Sequence, residues 1–324
     1  MDAKQLDKRR IGIYLLFAFG ISWATGLVIA LTGGLTNSPR LFSGSALTLA
    51  FLLLATFYMW GPALAHVATR LVTREGWQEL YLVPNLQRGW PYWLIGWFLP
   101  GILTILGAAL YFALFSSSYD PTMAAFRQQV QALTGADLPV PPMGYAASQA
   151  IQAMLIAPIL NALATFGEEF GWRAYLQPKL MPLGGRKAVL LVGLVWGVWH
   201  WPVIAMGYNY GFDYPGFPWL GMLMMVWFTV VLAVIFGWLV LRGGSVWPSV
   251  IAHGALNGIA ALGGLFLAGK PNMLLGPTPV GLVASLPFAL VALWILLSRR
   301  ALRPFEEEAS GALVDGAAAT PNLQ

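Results

Sequence analysis

Three short polar stretches interrupt an otherwise apolar sequence: Glu168-Glu169-Phe170-Gly171-Trp172-Arg173, Trp196-Gly197-Val198-Trp199-His200, and His253-Gly254-Ala255-Leu256-Asn257. Together they hold two carboxyls, two imidazoles, a guanidinium and a carboxamide. A carboxylate or imidazole in low dielectric can take a proton from water, and an imidazole or carboxamide N–H can stabilise a developing oxyanion. Ionisable side chains in hydrocarbon are costly unless they face a bundle interior with partners, so each of these groups is a candidate functional residue.

Helical spacing orders the groups. Glu169 and Arg173 are four apart and suited to pair, whereas Glu168 is displaced by about 100° around the axis and free to project elsewhere. Glu168 is therefore read as the catalytic carboxylate, with Glu169 and Arg173 in support. Asn161 and Thr165 extend the polar stripe of the same helix. His253 and Asn257 are also four apart, and Gly254 and Gly258 beside them permit close approach of another helix. His200 lies deep in its own segment, while Glu168 stands nearer a helix end; a helix continuing past Arg173 to Pro178 would bring the two depths together. The third histidine, His66, reads as a residue that bonds one helix to another.

The elements that must position these groups are membrane helices. Hydrophobic residues make up 58% of the chain and charged residues 10%, with mean hydropathy +0.68, which excludes an ordinary soluble domain. The absence of cysteine excludes disulfides, thiolate catalysis and cysteine-ligated zinc. Runs of about twenty apolar residues, enough to cross roughly 30 Å of hydrocarbon, predict an all-α bundle of eight spans near 11–32, 45–70, 91–115, 148–170, 188–206, 218–241, 246–268 and 279–298. With both termini cytoplasmic, 15 of the 18 Lys and Arg residues fall inside and only Arg40, Arg127 and Lys270 outside. Residues 1–304 are expected to form one integral membrane domain, with the core that holds the three polar stretches over about 148–268. The tail 305–324 is acidic, then small and polar, and is expected to be disordered.

Two stretches outside the spans are amphipathic. Met123, Phe126, Val130 and Leu133 recur at helical spacing and predict a helix on the outer leaflet, and Trp77, Leu80, Tyr81 and Leu82 predict an interfacial segment on the other side.

The order Glu-Glu-x-x-x-Arg, aromatic-x-x-x-His, His-x-x-x-Asn on successive spans resembles the CPBP family: type II CAAX prenyl endopeptidases and the Abi-like bacteriocin-processing or immunity proteases. The resemblance covers about residues 150–262, including the Gly184-Gly185 turn and the Gly244-Ser245-Val246-Trp247-Pro248-Ser249 approach to the last motif. Trp196 stands where the family more often has Phe. The resemblance implies an intramembrane endopeptidase in which Glu168 and His200 activate water and His253 and Asn257 stabilise the oxyanion, at a pocket facing the cytoplasm. The competing arrangement is a metalloprotease site in which Glu168, His200 and His253 bind Zn2+, although the sequence lacks a His-Glu-x-x-His helix. The expected partners are the lipid bilayer and a membrane-tethered protein or peptide substrate, with no role for nucleic acid; the setting is a bacterial plasma membrane. The alternatives are a proton-coupled transporter and a non-proteolytic peptide-binding or immunity protein. The absence of internal repeats weighs against the transporter.

Overall fold

A computed structural model describes residues 6–42 and 47–303. The expected disorder of the tail after Phe305 lies outside the described residues.

The protein is all-helical, because in hydrocarbon every backbone N–H and C=O must be satisfied within its own segment. Six helices are long and apolar enough to cross a membrane: α1 (Lys8–Leu31), α2 (Leu49–Val72), α3 (Leu86–Leu114), α7 (Gly185–Ala205), α8 (Trp219–Gly243) and α9 (Trp247–Phe266). A bent pair, α5 (Pro142–Leu155) and α6 (Ala157–Leu183), inclined at 53°, is long and apolar enough only when taken together, as a broken span or a re-entrant loop. Between α3 and α5 lies α4 (Ala124–Thr134), and α10 (Leu286–Leu297) follows α9.

These elements refine the expected spans. The fourth, placed at 148–170 without a break, is two helices, because Pro158 has no N–H to donate and disfavours helical geometry in the residue before it. The eighth, 279–298, is helical only over the 12 residues of α10. At about 1.5 Å per residue that is about 18 Å, short of the roughly 30 Å hydrocarbon core.

α8 is the central helix and packs against α7, α3, α9 and α10; a second row runs α1, α2, α6, α9, α3. The outward faces carry apolar side chains such as Leu16, Leu31, Leu160, Leu163 and Leu290, as lipid contact requires. The α6–α9 seam is tight: a Cβ at Gly254 would stand 2.8 Å from the carbonyl oxygen of Pro158, so only glycine fits there. Asn161 Nδ2 donates to Gly254 O (3.0 Å) and Thr165 Oγ1 to Val250 O (3.0 Å) across the same seam. These two members of the polar stripe thus bond helix to helix.

The expected amphipathic helix is present as α4, but Met123 lies before it, at φ 54°, and is buried. The 77–82 stretch is a loop pinned to the start of α9, where Tyr81 O accepts from Val246 N (2.8 Å) and Leu82 O from Trp247 Nε1 (2.8 Å).

Candidate active site

α6 does not stop at its charged motif. It passes through a π turn at Trp172–Leu176 and runs on to Leu183. A π turn adds a residue to the helix and often marks a functional site. The continuation also removes the discrepancy in depth: Glu168 lies 15 residues before Leu183, and His200 lies 15 residues after Gly185. At about 1.5 Å per residue, both stand roughly 22 Å from that end of the bundle.

Glu168, His200, His253 and Asn257 all line one cavity of about 200 Å³. The remaining walls include Leu54, Tyr58, Trp196, Tyr208, Asn209 and Val280. Such a volume has room for several water molecules beside polar groups able to hold them.

Glu168, His200 and His253 are each held by a specific partner. Glu168, 3% exposed, accepts from the indole Nε1–H of Trp196 at 2.7 Å. His200 occupies the break at the end of the first helical stretch of α7, Gly185–Trp199, and its Nδ1 lies 2.8 Å from Trp196 O. Only an N–H can bond a carbonyl oxygen, so Nδ1 carries the proton and Nε2 keeps its lone pair. The Trp199 carbonyl, left without an intrahelical partner at the helix end, accepts from Tyr58 Oη (2.6 Å) and Trp23 Nε1 (3.1 Å). His253 Nδ1 lies 3.0 Å from Glu169 Oε1, which fixes a proton on Nδ1 in the same way. Asn257, one turn further along α9, is exposed and makes no hydrogen bond among the described residues, so its carboxamide is free to bind a ligand.

The Glu169–Arg173 pair expected from the four-residue spacing is present at 2.9 Å, with both side chains fully buried. The same Glu169 oxygen also serves His253, so the carboxylate joins α6 to α9. Arg173 lies over the faces of Trp196 (4.1 Å) and Phe236 (5.3 Å) and makes no ion pair with Glu168 among the described residues. Trp196 therefore presents its face to the cation and its N–H to the Glu168 carboxylate. Sequence reasoning recognised Trp196 only as a large aromatic. A Phe could supply the face but not the N–H.

His66 lies outside the cavity. Its Nδ1–H donates to Phe170 O (2.9 Å) and its Nε2 accepts from Arg70 Nε (2.7 Å), so both nitrogens are occupied between α2 and α6.

The expected zinc ligands line the cavity, but no group of three His, Cys, Asp or Glu side chains among the described residues is arranged to hold a metal ion.

The cavity lies toward one end of the bundle. Tyr208 and Asn209 belong to the loop before α8, Ala260 to the far end of the α9 helix and Val280 to the segment before α10. All lie at the end of the bundle away from its basic residues. A cytoplasmic basic end and a pocket opening toward the cytoplasm are not both compatible with this arrangement.

No curated protein matches the sequence. Residues 148–259 match the family model for the type II CAAX prenyl endopeptidase Rce1-like group. This stretch contains all of Glu168, Glu169, Arg173, Trp196, His200, His253 and Asn257. Over this stretch, about a third of its length, the chain is similar to the type II CAAX prenyl endopeptidase Rce1-like family.

Proposed function

We propose that the protein hydrolyses a peptide bond in a membrane-associated protein or peptide, using water activated at Glu168. The observation that carries this reading is the placement of a desolvated carboxylate, two oriented imidazoles and a free carboxamide around one cavity, within the stretch that matches the CAAX endopeptidase family.

Water between Glu168 and the scissile carbonyl gives a proton to the carboxylate as its oxygen attacks the carbonyl carbon. His200 Nε2, which keeps its lone pair, accepts the second water hydrogen and fixes the water's orientation. The carbonyl oxygen becomes an oxyanion that accepts from His253 Nε2–H and Asn257 Nδ2–H. His253 acts here with both nitrogens protonated, and Glu169 supplies the countercharge. When the C–N bond breaks, the proton on Glu168 passes to the leaving amine.

The rival proposal is a zinc ion held by Glu168, His200 and His253, which would supply a more acidic bound water. Zinc content of the purified protein and activity after chelation separate the two. Full activity without stoichiometric zinc supports the direct mechanism, and loss on chelation with recovery on zinc addition overturns it.

The test of the peptidase reading is terminal-peptide proteomics on membranes containing either the wild type or Glu168→Ala at matched levels. New protein ends found only with the wild type are expected, and they identify the substrate. Glu168→Ala and His200→Ala should each abolish cleavage without loss of folded protein. Near-wild-type cleavage in either refutes the site assignment, and no wild-type-specific ends at all moves the weight to transport or peptide capture.

A further inference from the structure

We propose that the cavity is loaded from the membrane face opposite the basic end of the bundle, so that the scissile bond is presented from the extracytoplasmic half of the bilayer. The proposal rests on reading this cavity as the peptidase site.

The two ends of the bundle are identified by contacts. At one end Arg10 bonds Thr73, Glu75 bonds both Tyr175 and Lys179, Arg186 bonds Ser298 O, and Asn85 bonds Gly243 O. That end carries three basic residues in each of the stretches 8–10, 70–88, 179–187 and 299–303, and Arg242 besides. The opposite end, formed by 32–42, 115–141, 206–218 and 260–285, carries only Arg40, Arg127 and Lys270. Lys and Arg near membrane helix ends are retained on the cytoplasmic side, so the first end is cytoplasmic.

The catalytic groups are closed off from that end. Arg173, Trp172, Trp196, Phe236 and Gln177 fill the bundle on the basic side, each no more than 1% exposed. Toward the other end the cavity continues past Leu256 and Asn257 to Tyr208, Asn209, Pro279 and Val280, and Tyr208 is 38% exposed. The path from solvent to Glu168 thus begins among loops that carry few basic residues. A substrate that enters this way is a polypeptide segment lying at, or dipping into, the extracytoplasmic leaflet. A lipidated C-terminal tail displayed at the cytoplasmic surface does not reach it.

The chain has no cysteine, so single cysteines report individually. Lys270→Cys and Lys187→Cys, both exposed and at opposite ends, report sidedness, and Tyr208→Cys reports the cavity mouth. The probe is a membrane-impermeant sulfonated maleimide, applied to intact spheroplasts and to the same cells after detergent lysis. The expected result is full labelling of Lys270→Cys and Tyr208→Cys in intact spheroplasts, with Lys187→Cys labelled only after lysis. The reverse pattern overturns the orientation. Tyr208→Cys unlabelled while Lys270→Cys reacts from outside overturns the access route. Labelling requires no cleavage, so this test fails independently of the peptidase reading, which Glu168→Ala decides.

Discussion

Glu169 and Arg173 form an ion pair with no exposure to solvent, and the pair is incompletely satisfied. Glu169 Oε2 and Arg173 Nε and Nη2 have no hydrogen-bond partner among the described residues. Removing one member of a buried pair strands the other charge, which typically costs about 3–5 kcal/mol, whereas exchanging both for uncharged groups of similar volume is often nearly neutral. Glu169→Gln keeps the side-chain shape and an acceptor for His253, but leaves Arg173 without its ion-pair partner, over the faces of Trp196 and Phe236. A loss of about 3–5 kcal/mol is expected, a large part of a typical total stability of about 5–15 kcal/mol. Arg173→Met strands Glu169 instead, and the His253 Nδ1–H bond offsets part of the loss, so its cost belongs at the lower end. The double variant Glu169→Gln/Arg173→Met has no stranded charge, and its thioether can pack on the aromatic faces that held the guanidinium. It should therefore be more stable than Glu169→Gln, with a coupling energy on the order of 3 kcal/mol. The assay is denaturant unfolding in detergent micelles, followed by tryptophan fluorescence. Single losses below about 1 kcal/mol, or single losses that simply add in the double variant, would refute the claim that these charges depend on each other.

Trp196→Phe retains the aromatic face beneath Arg173 and removes the N–H that bonds Glu168. A hydrogen bond to a charged group contributes about 1.5–3 kcal/mol, so kcat/KM on a substrate identified by proteomics should fall about 10- to 150-fold in a folded protein. An unchanged rate would show that the bond does not position the carboxylate. Asn257→Ala should lower kcat about 10²- to 10³-fold, as expected for loss of one oxyanion donor, and leave the unfolding midpoint unchanged because the side chain makes no hydrogen bond among the described residues. A midpoint shift with no change in rate would instead make Asn257 structural. Outside the spans, burial pushes the Glu75 carboxyl up, but hydrogen bonds from Lys179 and Tyr175 outweigh it and hold the group below its ordinary value of 4.5. A depressed carboxyl stabilises the fold above its unfolded value, and that stability is lost as pH falls through the folded value. The wild-type unfolding midpoint should therefore drop as pH falls below about 4.5 more steeply than that of Glu75→Gln; parallel profiles would exclude this linkage.

The site was legible in the sequence where its logic is local or where coincidence is improbable. Four-residue spacing foretold the Glu169–Arg173 pair, and the helix-bonding role read for His66 is the one it has. The rarity of intramembrane charge singled out Glu168, His200 and His253, which do share a cavity. Contacts between distant segments were not legible. Glu169 meets His253 across 84 positions, and Trp196 meets Glu168 across 28, so no periodicity announces either. Pro158 was visible but sat within a continuous apolar run, and hydropathy does not register a missing N–H. Motif order gives depth along each helix but not which end of the bundle remains unfilled, so the direction of the cavity was not legible in the sequence.

The hydrogen bonds on the Trp199 carbonyl bear on how far the catalytic unit extends. They come from Trp23 and Tyr58, and Tyr14 packs edge-on against Trp172 at 5.8 Å, yet these two donors and the packing ring all precede residue 148, where the family match begins. The recognisable segment is therefore not a portable module. Transplanted onto the amino-terminal helices of a relative, it would keep every motif residue and lose the braces that fix His200 and the π turn. Chimeras of these proteins should be joined with α1 and α2 carried along, and substitutions at Tyr14, Trp23 or Tyr58 should be counted as lesions of the active site rather than of a remote scaffold.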